Sequence, residues 1–288
     1  MNAEPTRALV LSGDGGRGAY QVGVHKALEE LNLFTGVIVG TSIDAVNGAM
    51  LASGHNAASL EHEWRQMNVK RVHRLRRDFW RILRWPSLLS TDLWARTLQE
   101  QVDFGRLADS PIQLRITATE VESGQLRIFT NDEITVRYVL ASCSITIVYP
   151  WTILNGMHYW DGGVMASTPL APAIDAGANE IIVVLLSPVG ARRMPLARNL
   201  VRAAGCAFEL VLLASFENDL KQLQRMNTLV HSGLDTDHRV INFTVIAPSE
   251  YVPLEWILSY DADQIDHLIE LGYRDASQAL TGAQATHQ

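Results

Sequence analysis

The sequence has few cysteines, and it lacks any long hydrophobic run. Only two of its 288 residues are cysteines, Cys143 and Cys206, which excludes a disulfide framework and a four-cysteine zinc site. The longest apolar runs, such as residues 181–186, are far shorter than the ~18 residues needed to span a bilayer. Residues 1–7 lack the basic start and apolar stretch of a signal peptide. These absences predict a folded, soluble, cytoplasmic protein.

Charge is also low, at 19 % of residues against 47 % hydrophobic, which excludes a disordered chain. The formal net charge of −7 argues against nucleic-acid binding as the main role. Residues 65–85 reverse this balance, because they contain eight basic residues and a single acidic one, Asp78. Five of their arginines recur at helical spacing between aromatic and aliphatic residues: Arg71, Arg74, Arg77, Arg81 and Arg84. This pattern indicates peripheral contact with an anionic membrane, and a solvated helical lid is the other interpretation.

Short apolar runs alternate with helical stretches along the chain. Residues 7–13 and 36–40 are predicted to be buried strands, and each is followed by a helix, over 19–31 and 43–52. Further elements are predicted downstream: strands over 114–120, 125–129, 180–186 and 239–247, helices over 135–142, 195–231 and 262–280, and a hairpin over 152–160. The alternation indicates an α/β fold with a mainly parallel central sheet covered on both faces.

No internal repeat, low-complexity tract or linker divides the sequence. We therefore predict a single domain over residues 1–288. Residues 55–102 contain the basic segment and are predicted to form an irregular, all-helical, lid-like insertion in that domain.

Gly40-Thr41-Ser42 lies at a predicted turn from strand to helix. A serine at this point meets the backbone N–H groups and the positive partial charge of the helix start. This arrangement is typical of a nucleophile elbow, G-x-S-x-G, although Asp44 occupies the position of the second glycine. The alternative is a serine that caps the helix and performs no chemistry.

Two further segments combine glycine with aspartate. Residues 13–18 form a glycine-rich loop after the first strand, and such a loop can direct several N–H groups toward one anion. The loop fits neither a dinucleotide fingerprint nor a P-loop. Asp161-Gly162-Gly163 follows a predicted strand. It is either an ordinary turn or a carboxylate placed where another backbone comes close.

Together these motifs give the sequence a resemblance to the patatin-like phospholipase family. The glycine loop, the serine elbow and the Asp-Gly-Gly motif occur in the family's order. Three more segments resemble the family's oxyanion loop, its middle hairpin and its Ala-Ser-x-Ser-Ile-Pro block: residues 17–20, 117–129 and 141–150. The resemblance covers about residues 7–188 and implies a three-layer patatin-type fold.

The resemblance further implies a serine acyl hydrolase that cleaves lipid or other carboxylic esters and needs no cofactor. Ser42 would be the nucleophile, and Asp161 the base that accepts its proton. Asp44, Gly162 and Gly163 would neighbour this pair. The oxyanion hole would be formed by the glycine loop, supported by Arg17, and by the residue after the serine: Gly13, Asp14, Gly15, Gly16, Arg17, Gly18 and Ile43.

The sequence departs from the family pattern at two constrained positions. Asp14 replaces the middle glycine of the family's glycine triplet, and Asp44 replaces the glycine two residues after the nucleophile. A carboxylate beside an oxyanion hole opposes the charge that must be stabilised, and losing one donor costs about 10²–10³ in rate. These changes indicate an altered, even engineered, site with impaired activity. The competing hypothesis is a scaffold that binds a lipid or a divalent metal without efficient turnover.

Two alternatives extend that hypothesis. Asp14, Asp44 and Asp161 could converge near Ser42 and hold Ca²⁺ or Mg²⁺. A Ser-His-Asp triad is the other alternative, since nine histidines are present. The candidates are His158, three residues before Asp161, and His25, in the first predicted helix.

Overall fold

The computed structural model describes residues 6–75, 87–188, 196, 198–234 and 238–286. The strands in these residues are β1 (Arg7–Leu11), β2 (Val37–Thr41), β3 (Arg74–Leu75), β4 (Leu89–Ser90), β5 (Gln113–Glu120), β6 (Gln125–Thr130), β7 (Thr152–Leu154), β8 (Met157–Asp161), β9 (Glu180–Val184) and β10 (Asn242–Ile246). The helices are α1 (Ala19–Glu30), α2 (Ile43–Ala52), α3 (Ala57–Gln66), α4 (Val69–Val72), α5 (Asp92–Gln101), α6 (Val136–Ser142), α7 (Ala171–Asp175), α8 (Leu200–His231) and α9 (Ala262–Thr286).

Eight of the described strands form one mixed sheet in the order β10-β9-β1-β2-β5-β8-β7, with β6 also paired to β5. The five strands from β10 to β5 run parallel, whereas β6, β8 and β7 are antiparallel to their neighbours. The strand β2 is buried along its whole length, as expected for a strand covered on both faces. The prediction of an α/β fold with a mainly parallel sheet is confirmed.

The two faces of the sheet carry separate apolar clusters. Successive residues of β1 alternate between them, because neighbouring side chains of a strand point to opposite faces. Leu9 and Leu11 belong to the cluster that includes α1, α2 and α9, whereas Ala8 and Val10 belong to the cluster that includes α7 and α8. The result is a three-layer arrangement of helices, sheet and helices.

Residues 55–102 are not entirely helical, so that prediction is wrong in part. The helices α3, α4 and α5 lie in this stretch, but β3 and β4 pair antiparallel between them. Two-residue strands carry no periodic signal in a sequence. Arg77, Arg81 and Arg84, three of the five arginines of the predicted basic stripe, lie outside the described residues. Within the described part of the chain, every helix is too short or too polar to cross a bilayer.

Candidate active site

Ser42 joins the carboxyl end of β2 to the start of α2 in a strained backbone conformation. Its φ of 63° and ψ of −130° lie outside the regions that residues with a side chain normally occupy. Gly40 cannot carry a side chain here, because a Cβ atom would lie 2.4 Å from the Asp44 carbonyl oxygen. The Ser42 side chain makes no capping hydrogen bond to α2. The alternative of a simple helix cap is therefore wrong.

The end of α6 holds the Ser42 backbone from both sides. The Ser42 N–H donates to Ser142 Oγ over 2.9 Å, and the Cys143 thiol donates to the Ser42 carbonyl oxygen over 3.1 Å. Burial raises the pKa of the Cys143 thiol well above its usual value, so this thiol keeps its proton and can donate it. The side chains of two consecutive residues thus support the strained turn.

Asp161 lies beside Ser42 because of the register of β5. Thr117 of β5 pairs with Thr41, and the next residue, Ala118, pairs with Asp161. The Thr119 hydroxyl donates to the Asp161 carbonyl oxygen over 2.9 Å. The serine elbow and the Asp-Gly-Gly turn, which are far apart in sequence, therefore meet across one strand.

Asp161 is buried, with only 6 % of its surface exposed, and its two carboxyl oxygens differ. Oδ1 accepts the Gly163 N–H over 2.7 Å, whereas Oδ2 has no hydrogen-bond partner in the described part of the chain. Burial raises the pKa of Asp161 to about 7, and the Ser42 hydroxyl and the Gly163 N–H oppose this rise. The carboxyl therefore lies close to the hydroxyl and keeps one oxygen free to accept a proton.

The glycine loop packs directly on the elbow. A Cβ atom on Gly13 would lie 2.8 Å from Ser42 Cβ, and one on Gly18 would lie 3.0 Å from Ile43 Cγ2. Between them, residues 15–18 form a 3₁₀ turn that leads into α1. Glycine is needed because side chains at either end would force the loop away from Ser42.

Asp14 faces Arg17, and its carboxyl does not join that of Asp161. Arg17 is fully buried, and its Nη1 lies 2.8 Å from Asp14 Oδ2 and 2.8 Å from Glu209 Oε1. Burial raises the pKa of Asp14, the Arg17 guanidinium lowers it, and Glu209 raises it. The carboxylate of Asp14, which the sequence places in the glycine loop, is therefore paired with the guanidinium of Arg17.

Asp44 is fully buried behind the elbow in a polar network. Its Oδ1 accepts from Gln21 Nε2 over 2.7 Å, and Oδ2 has no partner among the described residues. Asn47 continues the network, because its Nδ2 donates to the Gly18 carbonyl oxygen and its Oδ1 accepts from Trp64 Nε1. Burial, together with the charges of Asp14 and Asp161, raises the pKa of Asp44 well above its usual value. The surroundings of Asp44 therefore favour its neutral form.

The prediction that Asp14, Asp44 and Asp161 converge on a metal is wrong. Their charges influence one another's pKa values, but each carboxyl has its own partner. No group of three or more His, Cys, Asp or Glu side chains in the described ranges could hold a metal ion.

The two histidines considered for a triad have other partners. His25 pairs with Glu29 on α1 over 3.2 Å, and His158 pairs with Glu122. Among the described residues, no histidine hydrogen-bonds with Ser42 or Asp161.

Sequence reasoning missed several supports of this site. Gln21, Asn47 and Glu209 carry no recognisable motif, and Glu209 lies 192 residues from Arg17. The sequence marked Ser142 only as the first serine of the Ala-Ser-x-Ser block, and this position did not indicate that it supports Ser42.

Comparison with known proteins identifies the family. The profile described as Patatin-like phospholipase matches residues 9–174, more than half of the chain. The chain belongs to the patatin-like phospholipase family. The matched region includes the glycine loop, Ser42 and Asp161, and it ends before α8 and α9.

Two relatives with curated descriptions are distant and much longer than this chain. Lysophospholipase NTE1 of Meyerozyma guilliermondii is 29 % identical over 64 % of this chain and 13 % of its own length. Neuropathy target esterase sws of Drosophila melanogaster is 28 % identical over 61 % of this chain and 12 % of its own length. The chain thus spans about an eighth of the length of these relatives. Among solved structures, VipD from Legionella pneumophila matches 97 % of this chain and 67 % of its own chain, with a TM-score of 0.52 and 14 % identity. This likeness supports the patatin-type fold.

Proposed function

We propose that this chain is a lipid acyl hydrolase that cleaves carboxylic esters through a Ser42–Asp161 dyad. The observation that carries the proposal is the pairing of two groups: a serine in a strained elbow that makes no capping hydrogen bond, and a buried carboxyl with one oxygen that has no partner among the described residues. The family assignment and the names of the two relatives, a lysophospholipase and an esterase, support lipid ester hydrolysis.

In the proposed mechanism, Ser42 Oγ attacks the carbonyl carbon of the ester while Asp161 Oδ2 accepts its proton. The tetrahedral intermediate collapses, the bond to the alcohol oxygen breaks, and Asp161 returns the proton to that oxygen. Water then attacks the acyl-serine while Asp161 accepts its proton, the bond to Ser42 Oγ breaks, and Asp161 returns the proton to Oγ as the acid leaves. A carboxyl with a pKa of about 7 suits both proton transfers near neutral pH.

The loop contacts narrow the choice of oxyanion donors. The Gly13 N–H already donates to the Ser167 carbonyl oxygen, and the Arg17 N–H donates to the Asp14 carbonyl oxygen. We therefore assign the oxyanion hole to the remaining N–H groups of the loop, among them those of Gly15 and Gly16, and to the N–H group of Ile43, because the first N–H groups of a helix such as α2 lack intrahelical partners.

The surroundings of the two extra aspartates favour turnover over the binding-only alternative. Asp14 is paired with Arg17, and burial raises the pKa of Asp44 well above its usual value, which favours its neutral form. Neither carboxyl therefore presents an unpaired negative charge to a developing oxyanion.

A fluorophosphonate probe and burst kinetics with p-nitrophenyl butyrate test the proposal. We expect labelling and a burst in the parent chain, and the loss of both in Ser42→Ala. Ser53→Ala is the matched control, since Ser53 is also buried but lies at the far end of α2. The proposal fails if the parent is not labelled, or if Ser42→Ala is labelled as fast as the parent.

Peripheral contact with an anionic membrane through residues 65–85 is part of this proposal. Lys70, Arg74 and Leu75 are exposed in the described part of that segment. Val164 and Met165, which follow the Asp161 turn directly, are 41 % and 48 % exposed. Basic and apolar side chains of this kind suit a lipid surface.

A further inference from the structure

We propose that Glu209, on α8, is a positioning residue for the oxyanion-hole loop and acts on it through Arg17. The proposal rests on the proposed function, because it assigns Glu209 to the same reaction. The helix α8 lies outside the region that matches the family profile, so the contact comes from this chain's own structure.

Glu209 and Asp14 hold the same nitrogen of Arg17. Both carboxylates lie 2.8 Å from Nη1, and the Arg17 side chain is fully buried. Ser187 Oγ donates to the same Oε1 of Glu209 and accepts from Arg17 Nη1 over 3.4 Å, so it helps to hold that carboxylate beside the guanidinium. A buried guanidinium needs such partners, because an unpaired buried charge is strongly destabilising.

The other nitrogens of Arg17 hold the segment at residues 252–253. Nη2 donates to the Val252 carbonyl oxygen over 2.9 Å, and Nε donates to the Pro253 carbonyl oxygen over 3.3 Å. Arg17 therefore ties α8, the glycine loop and this segment together.

The same segment continues into the wall on which the loop glycines lie. Cβ atoms on Gly15 and Gly16 would lie 2.2 Å from the Ile257 carbonyl oxygen and 2.1 Å from the Ser259 carbonyl oxygen. A shift of Arg17 would therefore move the N–H groups of Gly15 and Gly16, which we assign to the oxyanion hole. The movement would be transmitted through both the loop and its wall.

This arrangement also gives Asp14 a role in place of the family's glycine. Asp14 adds a second anchor for Arg17, and Arg17 neutralises the charge that Asp14 brings near the oxyanion. Without Glu209, the only carboxylate left on Arg17 is that of Asp14, which moves with the loop itself; the other anchors are Ser187 Oγ and the carbonyl oxygens of Val252 and Pro253. Because displacements of about 1 Å can cost about 10²-fold in rate, we expect the loss to affect kcat more than KM.

The test compares Glu209→Ala, Glu209→Gln and the control Glu217→Gln, a glutamate on the same helix whose side chain is 43 % exposed. We expect Glu209→Ala to lower kcat for p-nitrophenyl butyrate at least about tenfold with KM within about twofold. We also expect faster hydrogen exchange in the peptide covering residues 12–19. Glu209→Gln should retain most of both properties, because its amide oxygen can still accept from Nη1. Glu217→Gln should match the parent.

Parent-like kcat and parent-like exchange in Glu209→Ala would overturn the proposal. If Glu209→Ala does not fold, Glu209→Asp decides, because its shorter side chain withdraws the carboxylate from Nη1 while keeping the charge. The proposal then requires a lower kcat with little change in KM and faster exchange of residues 12–19, and parent-like values of both would contradict it. Turnover that survives in Ser42→Ala would refute the dyad. The hydrogen exchange of residues 12–19 would still test whether Glu209 positions the loop.

Discussion

At the scale of the residue, three aspartates lie around Ser42 with different partners. Asp161 keeps one oxygen free beside the serine, Asp44 binds Gln21, and Asp14 binds Arg17. Burial raises the pKa of all three, and the neighbouring groups decide which carboxyl is ionised near neutral pH. Asp161 alone combines a pKa of about 7 with a free oxygen next to Ser42.

The pH dependence of hydrolysis follows from the Asp161 pKa. A base must be ionised, so we expect kcat/KM to fall about tenfold per pH unit below a pKa of about 7 and to level off above it. Asp161→Asn should lower kcat by about 10³ and remove this limb. A pH–rate profile of the parent chain measures the limb. A profile that stays flat between about pH 5 and 8 would exclude Asp161 as the base.

Replacing Asp44 with asparagine removes its ability to ionise and keeps nearly the same side-chain shape. The folded-state pKa of Asp44 is raised, so the parent loses stability as the pH rises above the unfolded value of about 4. An asparagine at this position cannot ionise and avoids that loss. We expect the free energy of unfolding of Asp44→Asn, relative to the parent, to increase from about pH 4 to about pH 8 while hydrolysis changes less than about threefold. Urea titrations at both pH values measure this difference, and a constant difference would show that Asp44 ionises freely.

At the scale of the element, Gly36 precedes β2 and Gly40 is the last but one residue of β2, and only Gly40 is crowded. A Cβ on Gly40 would lie 2.4 Å from the Asp44 carbonyl oxygen, whereas one on Gly36 would meet no atom within 4 Å. We expect Gly40→Ala to reduce the free energy of unfolding by about 1–3 kcal/mol or more, and Gly36→Ala to leave it nearly unchanged. Thermal unfolding of both variants checks this, and equal effects would contradict the tight elbow.

The helix α6 supports the elbow through Ser142. Removing its hydroxyl leaves the Ser42 N–H buried without a partner, which costs about 1–3 kcal/mol and releases the strained turn. We expect Ser142→Ala to lower kcat about tenfold with little change in KM, and Ser142→Thr to restore much of it. If both variants behave alike, the hydroxyl does not hold Ser42.

At the scale of the whole molecule, the sheet brings the site together at the carboxyl ends of β1 and β2. Val164 and Met165 are exposed beside this edge. In the basic segment, residues 65–85, Lys70 and Arg74 are also exposed. We expect the chain to float with vesicles that contain anionic lipid and to detach as salt rises, because such attraction is screened. Lys70→Glu with Arg74→Glu should weaken flotation, and Arg225→Glu, on α8, should not. Flotation that is independent of anionic lipid would remove the role of the basic segment.

The sequence predicted most elements because their signals are local. The strands β1, β2 and β5, the hairpin of β7 and β8, and the helix after the serine follow from apolar runs and turn residues that neighbours in sequence determine. The β3–β4 pair was missed, since two-residue strands depend on contacts made elsewhere. The separation of Asp14, Asp44 and Asp161 could not be predicted either, because each carboxyl depends on a partner from another element.

The sequence by itself determined the α/β class, the family and the two residues that we propose as the dyad. It did so because glycines, a serine and an aspartate at strand ends form local patterns with few alternatives. The tertiary structure decided the surroundings of these residues. Burial beside β5 gives Asp161 its raised pKa, Gln21 donates to Asp44 from another helix, and Glu209 reaches Arg17 from 192 positions away. Desolvation and charge pairing depend on distances in space, which one sequence does not encode in any local pattern.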